Sequence, residues 1–258
     1  MTFGWEIRAR VQFEGDAHVI EDACGFNGPN AWVIDGATSL LEPLGLPAAS
    51  DPQWLAQALD MILAGPCKGE GRNGVRARLA SALAAIDSMT EPMVGPERVR
   101  FPSAAISVAQ LNDDGVEIAS LADCTVVVRT HDGATHLVRA ELADSRVDGA
   151  VAGNRAELLK QDRELRNTPG RLWVARREPE AADHAHVEQL GRPAHMVMAS
   201  DGAWRAVDLG LVSGPEEFLE RTSSTLGALE LMTELRRRQA EIGEVSDDAT
   251  VLALAPRQ

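Results

Sequence analysis

The fold is decided by residues 31–36, which read Ala-Trp-Val-Ile-Asp-Gly, and by residues 194–202, which repeat the plan as Ala-His-Met-Val-Met-Ala-Ser-Asp-Gly. In each stretch a short apolar run predicts a buried strand that carries an aspartate, Asp35 or Asp201, to its end. The glycine after each aspartate lets the backbone turn sharply or approach a ligand closely. Because Asp-Gly is also a common hairpin turn, one such pair alone would indicate only a turn.

Further carboxylates lie at the starts of predicted strands. Asp22 lies in Ile-Glu-Asp-Ala, just before the strand that ends at Asp35, and Asp247-Asp248 opens the last strand, Ala249–Ala255. Carboxylates gathered this closely repel one another unless cations or protons lie among them. We therefore interpret the set as a divalent-metal cluster. With no nearby His or Cys, such oxygen ligands suit Mg²⁺ or Mn²⁺ better than zinc.

A pair of such ions indicates the class of reaction. Two ions roughly 3.5–4 Å apart, bridged by one carboxylate, lower the pKa of a shared water and orient it as a nucleophile. They also hold phosphoryl oxygens and offset charge as the leaving group departs. The sequence thus favours attack of a metal-activated water on a phosphate ester. No Ser/His/Asp triad, Walker loop or dinucleotide glycine pattern competes with this interpretation.

Hydrophobic periodicity predicts an α+β fold. Two amphipathic stripes predict helices, one beginning at Asp51-Pro52 and one running from Val75 to Ile86. This order of strands and helices fits antiparallel sheets with helices on their outer faces, since the regular alternation of a doubly wound fold is absent. Strands are predicted at the two opening stretches and at Trp5–Phe13, His18–Ala23, Ala104–Leu111, Val116–Ala122, Thr125–Thr130, Thr135–Val138 and Ala249–Ala255.

The pattern is weaker between residues 141 and 192 and becomes helical again after Asp201. The basic run Arg236–Arg238 stands near the end of this later helical region, where positive charge suits the helix dipole, and it is interpreted as solvated surface. The predicted elements are a helix at Ala156–Leu165, a strand at Leu172–Ala175, a polar exposed stretch at Arg176–Glu188 and a long helical region from Pro215 to about Ile242.

Composition narrows the class of protein. A chain of 258 residues with 45% hydrophobic content can bury a substantial core, and no linker divides it, so residues 1–258 are predicted to form a single domain. The net charge of −14 argues against binding nucleic acid or an anionic membrane. Cys24, Cys67 and Cys124 are interpreted as reduced thiols. Because no signal-peptide core or membrane-length apolar run is present, we expect a soluble, cytoplasmic protein.

The motifs resemble those of the metal-dependent protein phosphatases of type 2C, whose signatures are scattered along a whole catalytic domain. The resemblance implies a four-layer α-β-β-α sandwich, in which two antiparallel sheets are flanked by helices, with a two-metal site at one end. This agrees with the layers predicted from periodicity. The matching stretches, in chain order, are Glu21-Asp22-Ala23, Val33-Ile34-Asp35-Gly36, Ala122-Asp123, Ala199-Ser200-Asp201-Gly202 and Ser246-Asp247-Asp248-Ala249-Thr250-Val251.

The resemblance also implies a set of catalytic metal ligands for two Mn²⁺ or Mg²⁺ ions. Asp35 would bridge both ions, and Gly36 would give its backbone carbonyl oxygen to one of them. Asp201 and Asp247 would ligate the other. Asp35, Asp201 and Asp247 are therefore the predicted catalytic residues.

Three more acids are implied to act around those ions. Glu21 and Asp22 would hold metal-bound waters, as residues behind the ligands commonly do. Asp123 resembles an acid that helps to hold a third, looser ion in bacterial relatives. The sequence therefore predicts two ions and leaves a third possible.

Three positions depart from the family pattern. Many members follow the first Asp-Gly with His-Gly-Gly, and this His is a candidate general acid; residues 37–39 here are Ala-Thr-Ser, so the leaving group must take its proton from water or another residue. Many members also place a phosphate-gripping Arg shortly before Glu-Asp, where His18 is the predicted substitute. After Asp201-Gly202 the family often has another acid near the Trp. Arg205 stands there instead, which weakens the third-ion assignment and offers a guanidinium for phosphate.

The leading hypothesis is a metal-dependent phosphatase that acts on phosphoserine or phosphothreonine in a phosphoprotein. Two alternatives stay open. Because the general-acid and Arg positions are altered, the chain could be a non-catalytic relative that binds metal or a phosphorylated partner and regulates it. Alternatively, the substrate could be a small phosphomonoester, since fold and metal site do not fix the leaving group. The sequence specifies no oligomeric state.

Overall fold

A computed structural model describes residues 4–39, 41–66, 74–140 and 155–257. Within these ranges the chain forms ten strands, six α-helices and a short 3₁₀ helix at Pro179–His184. The strands are β1 (Trp5–Phe13), β2 (Ala23–Asn27), β3 (Asn30–Gly36), β4 (Ala104–Asn112), β5 (Gly115–Leu121), β6 (Thr125–Thr130), β7 (Thr135–Val138), β8 (His186–Leu190), β9 (Pro193–Ala199) and β10 (Ala249–Pro256). The helices are α1 (Asp51–Ala64), α2 (Val75–Val94), α3 (Arg155–Leu165), α4 (Asp201–Asp208), α5 (Pro215–Arg221) and α6 (Thr225–Ile242).

The strands form two five-stranded sheets that pack face to face. One sheet has the order β1-β10-β9-β6-β7 and the other β2-β3-β4-β5-β8, and the neighbouring strands of both pair antiparallel. Buried side chains such as Val33, Val126 and Leu252 fill the space between the sheets. Helices α1 and α2 cover the outer face of the second sheet, and α4, α5 and α6 cover that of the first. The predicted four-layer sandwich is confirmed.

Two predicted strands, His18–Ala23 and Leu172–Ala175, are not present as predicted. Residues 18–22 form a loop, and the strand runs from Ala23 to Asn27, because a turn at Gly28 (φ 55°) pairs it with β3 in a hairpin. The predicted strand at Leu172–Ala175 is reduced to one isolated bridge between Ala175 and Ala104. Local apolar patterns do not reveal which segments find a pairing partner.

The prediction that Arg176–Glu188 is exposed is wrong for part of the stretch, although Glu180, Asp183 and His186 are exposed. Arg176 is 1% exposed and Arg177 is 7% exposed, while the apolar residues of the 3₁₀ helix are buried against α2. Glu178 accepts two hydrogen bonds from Arg176, at 2.9 and 2.7 Å, which compensates the buried charge. The chain then continues as β8 at the edge of the second sheet. A polar sequence predicted exposure, but ion pairs between the charged side chains allow them to be buried.

The predicted helical region from Pro215 to Ile242 is divided into two helices. The second helix begins after Ser224, because the hydroxyl of Ser224 accepts a hydrogen bond from the amide of Gly227 and caps the N-terminus of α6.

In β1, Ile7 is 45% exposed because the register with β10 shifts between Ile7 and Ala9.

The remaining expectations concern the cysteines, membrane-spanning helices and the division into domains. Cys24 and Cys124 are free and buried, while Cys67 lies outside the described residues. None of the helices in the described ranges has the length and apolar character needed to cross a membrane. The assignment of residues 1–258 to one domain stays a prediction.

Candidate active site

The two Asp-Gly pairs meet at one end of the sandwich. Asp35 is the penultimate residue of β3 in one sheet, and Asp201 begins α4 directly after β9 in the other. The amide of Asp201 donates a hydrogen bond to the Asp35 carboxylate at 3.2 Å, which joins the two strand ends. The predicted convergence of these aspartates is therefore present in the structure.

The glycines are required by close approach of neighbouring backbone. A Cβ atom on Gly36 would lie 2.5 Å from the carbonyl oxygen of Glu21, and one on Gly202 would overlap the carbonyl oxygen of Asp248. Since any larger residue would push these segments apart, each glycine brings an acidic loop against the end of a strand. This explains Asp-Gly at both positions without a hairpin turn.

Asp22 and Asp123 lie beside the joined strand ends. Asp22 is 6% exposed, and among the described residues neither of its carboxylate oxygens has a partner with hydrogen-bond geometry, although the Thr250 and Ser200 hydroxyls lie near enough to offset part of the rise in its pKa. Asp123 lies in the turn between β5 and β6, and its negative charge acts on Asp35 and Asp201. Asp22 thus has the unmet hydrogen-bonding capacity that a cation or water would satisfy.

The adjacent acids Asp247 and Asp248 have different surroundings. The Asp248 carboxylate is buried and accepts the amides of Gly15 at 2.7 Å and Glu21 at 2.5 Å, so it ties the loop after β1 to the start of β10. Asp247 is exposed, and one of its oxygens accepts the Asp248 amide at 2.9 Å. Asp248 therefore organises the loop, while Asp247 faces solvent at the cluster's edge.

Glu21 is half-buried at the opposite side of this loop. Its carboxylate accepts the hydroxyl of Ser50 at 2.5 Å, and the same hydroxyl oxygen accepts the amide of Gln53 at the N-terminus of α1. Burial raises the pKa of Glu21, with Asp248 and Asp247 adding to the rise. The cap of α1 thus fixes the orientation of a predicted site residue.

The carboxylates of the cluster lie close enough to raise one another's pKa values. Burial, followed by neighbouring carboxylates, raises the pKa of Asp35 well above its usual value, that of Asp22 to about 7 and that of Asp201 to about 6. Partial desolvation of the carboxylate, with repulsion from Asp248, also raises the pKa of Asp247, although the residue as a whole is exposed. No three His, Cys, Asp or Glu side chains in the described ranges are arranged to hold an ion as they stand. The chemistry of the cluster nevertheless fits hard divalent cations, which would relieve the repulsion and occupy the free oxygens of Asp22.

The two predicted phosphate partners already contact carboxylates elsewhere. His18 is exposed, and its Nδ1 lies 3.2 Å from Glu14. Arg205 donates two hydrogen bonds to Glu244, at 2.9 and 2.8 Å, and lies 3.7 Å from Asp208. Substrate binding by either residue stays a prediction, and these contacts do not favour it.

We expect Arg205→Ala to leave the KM for a phosphate ester unchanged within about twofold, because the guanidinium is held by Glu244 away from the cluster. The loss of stability should be under about 1 kcal/mol, as for other exposed ion pairs. Steady-state kinetics and thermal unfolding check both expectations. A tenfold rise in KM would return Arg205 to the phosphate site.

Arg236 reaches the site, although sequence analysis placed it on the solvated surface. Its Nη2 donates to the carbonyl oxygens of Phe13 at 3.2 Å, Glu14 at 3.3 Å and Asp247 at 2.6 Å. It therefore joins the end of β1 to the segment that carries Asp247. No local signal separates it from Arg237, since only the fold shows which side chain of the basic run turns inward.

We expect Arg236→Met to lower the free energy of unfolding by about 1–3 kcal/mol, because charge-assisted hydrogen bonds to backbone carbonyls are lost. Binding of Mn²⁺ should weaken as well, since Asp247 loses its support. Chemical denaturation and calorimetry measure the two effects. Arg237→Met is the matched control, because Arg237 is the exposed neighbour on the same helix. Equal behaviour of the two variants would contradict the positioning role.

The four-layer sandwich is the fold that the resemblance to the type 2C phosphatases implies, and comparison with known proteins tests that likeness. Neither family models nor curated protein sequences gave a match to the chain. Solved structures do match. The serine/threonine phosphatase PstP/Ppp of Mycobacterium tuberculosis aligns with a TM-score of 0.59 over 99% of both chains, at 15% identity.

Two further solved structures match over similar lengths. The PPM Ser-Thr phosphatase MsPP of Mycobacterium smegmatis, in complex with cacodylate, has a TM-score of 0.58 over 98% of this chain and 99% of that one, at 16% identity. The PstP catalytic domain in complex with two manganese ions has a TM-score of 0.55 over 100% of both chains, at 17% identity. The chain thus has the fold of the PPM serine/threonine phosphatases, and the likeness predicted from the motifs is confirmed at the level of the fold.

Proposed function

We propose that this chain is a divalent-metal-dependent phosphatase that hydrolyses phosphoserine and phosphothreonine in phosphoproteins. The observation that carries the proposal is the convergence of acidic side chains from remote parts of the sequence on one end of the sandwich. Asp35 interacts electrostatically with Asp22, Asp123 and Asp201, which come from different strands and turns. The catalytic domain of the phosphatase PstP, which has this fold, has a crystal structure in complex with two manganese ions.

The residues that would hold the ions are Asp35, Gly36, Asp201 and Asp247, with Asp123 available for a third. Bound Mn²⁺ or Mg²⁺ would supply the charge that acidifies water and stabilises phosphoryl oxygens. The protein contributes the placement of the carboxylates. The joined strand ends fix Asp35 and Asp201. The loop after β1 is tied to Asp248, and Asp16 of that loop pairs with Ser246, the residue before Asp247.

The reaction that this arrangement supports is attack of a water oxygen on phosphorus, with cleavage of the bond to the serine or threonine oxygen. The departing oxygen needs a proton. Residues 37–39 offer no imidazole for this purpose, and Thr38 is exposed at this position. Solvent water is therefore the proton donor that we propose.

The direct experiment is hydrolysis of p-nitrophenyl phosphate and of a phosphothreonine peptide by purified protein. We expect turnover of both with Mn²⁺ and none with EDTA, together with preference for the peptide in kcat/KM. Turnover that ignores EDTA would contradict the metal dependence. Preference for small esters would instead favour the phosphomonoesterase alternative.

A non-catalytic metal-binding or phosphoprotein-binding role is the second candidate. It is favoured by the positions of His18 and Arg205, whose carboxylate partners lie outside the cluster. Calorimetry separates the two functions, because Mn²⁺ binding without turnover of any phosphopeptide would support the regulatory role.

A further inference from the structure

Arg163 contacts the segment that follows Asp35-Gly36. Its Nη2 donates a hydrogen bond of 2.5 Å to the carbonyl oxygen of Thr38. Thr38 in turn lies beside the Glu21 carboxylate, and Glu21 attracts the Arg163 guanidinium. Arg163 is 6% exposed, and Thr38, whose carbonyl oxygen it contacts, is exposed. Helix α3 thus delivers a cation to the rim of the carboxylate cluster.

Arg163 differs from the arginines around it because no carboxylate among the described residues lies within ion-pair distance of it. Arg166 has Asp162 at 3.3 Å, Arg176 has Glu178 at 2.7 Å and Arg177 has Asp87 at 2.7 Å. No carboxylate of the described residues lies within 4.0 Å of Arg163, and its buried Nε has no hydrogen-bond partner.

The cost of this burial indicates a missing anion. Burial and repulsion from Arg166 and Arg176, only partly offset by attraction from Asp162 and Glu21, lower the pKa of Arg163 to about 10, so the side chain is still charged at neutral pH. A buried charge without a partner is unfavourable unless an ion of opposite sign joins it. A phosphate group has the charge and the geometry to accept two hydrogen bonds from one guanidinium.

We propose that Arg163 binds the phosphoryl oxygens of the substrate, which gives this chain a phosphate-binding cation on α3. The proposal rests on the proposed function, since it assigns a substrate contact at the same site. It also accounts for the absence of an Arg before Glu21-Asp22, because a different element supplies the positive charge. Arg163 has no carboxylate within ion-pair distance among the described residues, whereas His18 and Arg205 have carboxylate partners.

The test uses inorganic phosphate as the probe and the full chain in EDTA, so that no metal ion contributes to binding. The variants are Arg163→Gln, which keeps a donor for the Thr38 carbonyl but removes the charge, and Arg163→Lys, which keeps the charge. Arg166→Gln is the matched control, because Asp162 and Ser103 already hold that guanidinium. Phosphate should raise the unfolding temperature of the wild type and of the Arg166 variant. It should leave that of Arg163→Gln unchanged, with Arg163→Lys intermediate.

Kinetics in Mn²⁺ give a second readout. Loss of a charge-assisted hydrogen bond predicts a rise in KM for p-nitrophenyl phosphate of about 10–100-fold in Arg163→Gln, with a smaller change in kcat and unchanged Mn²⁺ affinity. A phosphate-induced shift that survives in Arg163→Gln, or that is absent from the wild type, overturns the proposal. If phosphate binding depends on Arg163 but no ester is hydrolysed, the binding site stands and the proposed function fails. If hydrolysis is normal in Arg163→Gln, Arg163 does not bind the substrate, while the proposed function stands.

Discussion

Asp35→Asn is expected to abolish Mn²⁺-dependent hydrolysis of p-nitrophenyl phosphate. The carboxylate of Asp35 lies between the charges of Asp22, Asp201 and Asp123, and as a bridging ligand it would contact both ions. An amide supplies one neutral oxygen in place of a charged pair. The loss of kcat/KM should therefore exceed the roughly 10–100-fold typical of residues that only support a metal ligand.

The result is interpretable only when the variant is folded. Circular dichroism and thermal unfolding without metal check the fold, and Asp35→Asn should be at least as stable as the wild type, because it removes a buried charge whose pKa is raised. Asp113→Asn is the matched control, since Asp113 is an exposed aspartate in the hairpin between β4 and β5. Full activity in Asp35→Asn would refute the assignment of the site.

Asp22→Asn should have effects of opposite sign on stability and on metal binding. In the metal-free protein, a rise in the pKa of Asp22 from 3.8 to about 7 corresponds to about 4 kcal/mol of destabilisation once the group is ionised. The neutral amide removes this cost, so the free energy of unfolding at pH 8 should rise by about 1–4 kcal/mol. Mn²⁺ affinity should fall about 10–100-fold, because the carboxylate no longer supports the ions or their waters.

The pH dependence provides an independent check. The unfolded chain releases the Asp22 proton near pH 4, whereas the folded chain keeps it to about pH 7, so wild-type stability in EDTA falls as pH rises through this interval. Urea denaturation at a series of pH values should show a flatter profile in Asp22→Asn. Asp132→Asn is the control, because hydrogen bonds lower the pKa of that carboxyl and its replacement should give no stabilisation. A destabilised Asp22→Asn with unchanged Mn²⁺ affinity would contradict both expectations.

The site's main aspartates could be predicted because their signal is local. Asp35 lies at the end of one buried strand and Asp201 follows another, and the glycine after each aspartate marks a close approach of backbone. The sandwich could be predicted for a similar reason, since period-two strands and amphipathic helices are readable in short windows. The fold then brings those strand ends together, as the hydrogen bond from Asp201 to Asp35 records.

The contacts of arginine side chains could not be predicted. Arg236 lies inside a run of three arginines, and only the packing of α6 against β1 directs it to the backbone of Phe13 and Asp247. Arg176 is buried beside its partner Glu178, whereas Arg163 is buried with no such partner in the described ranges. A sequence shows that these residues carry charge, but it does not show which charges lose contact with solvent.

The central claim is that Asp35, Asp201 and Asp247 hold a pair of divalent ions at the end of the sandwich. The most direct measurement is anomalous diffraction at the manganese edge from a crystal grown in Mn²⁺. Our account predicts two adjacent peaks with Asp35 between them and with Asp201 and Asp247 among the ligands. Manganese bound elsewhere on the protein, with these three side chains free of metal, would contradict it.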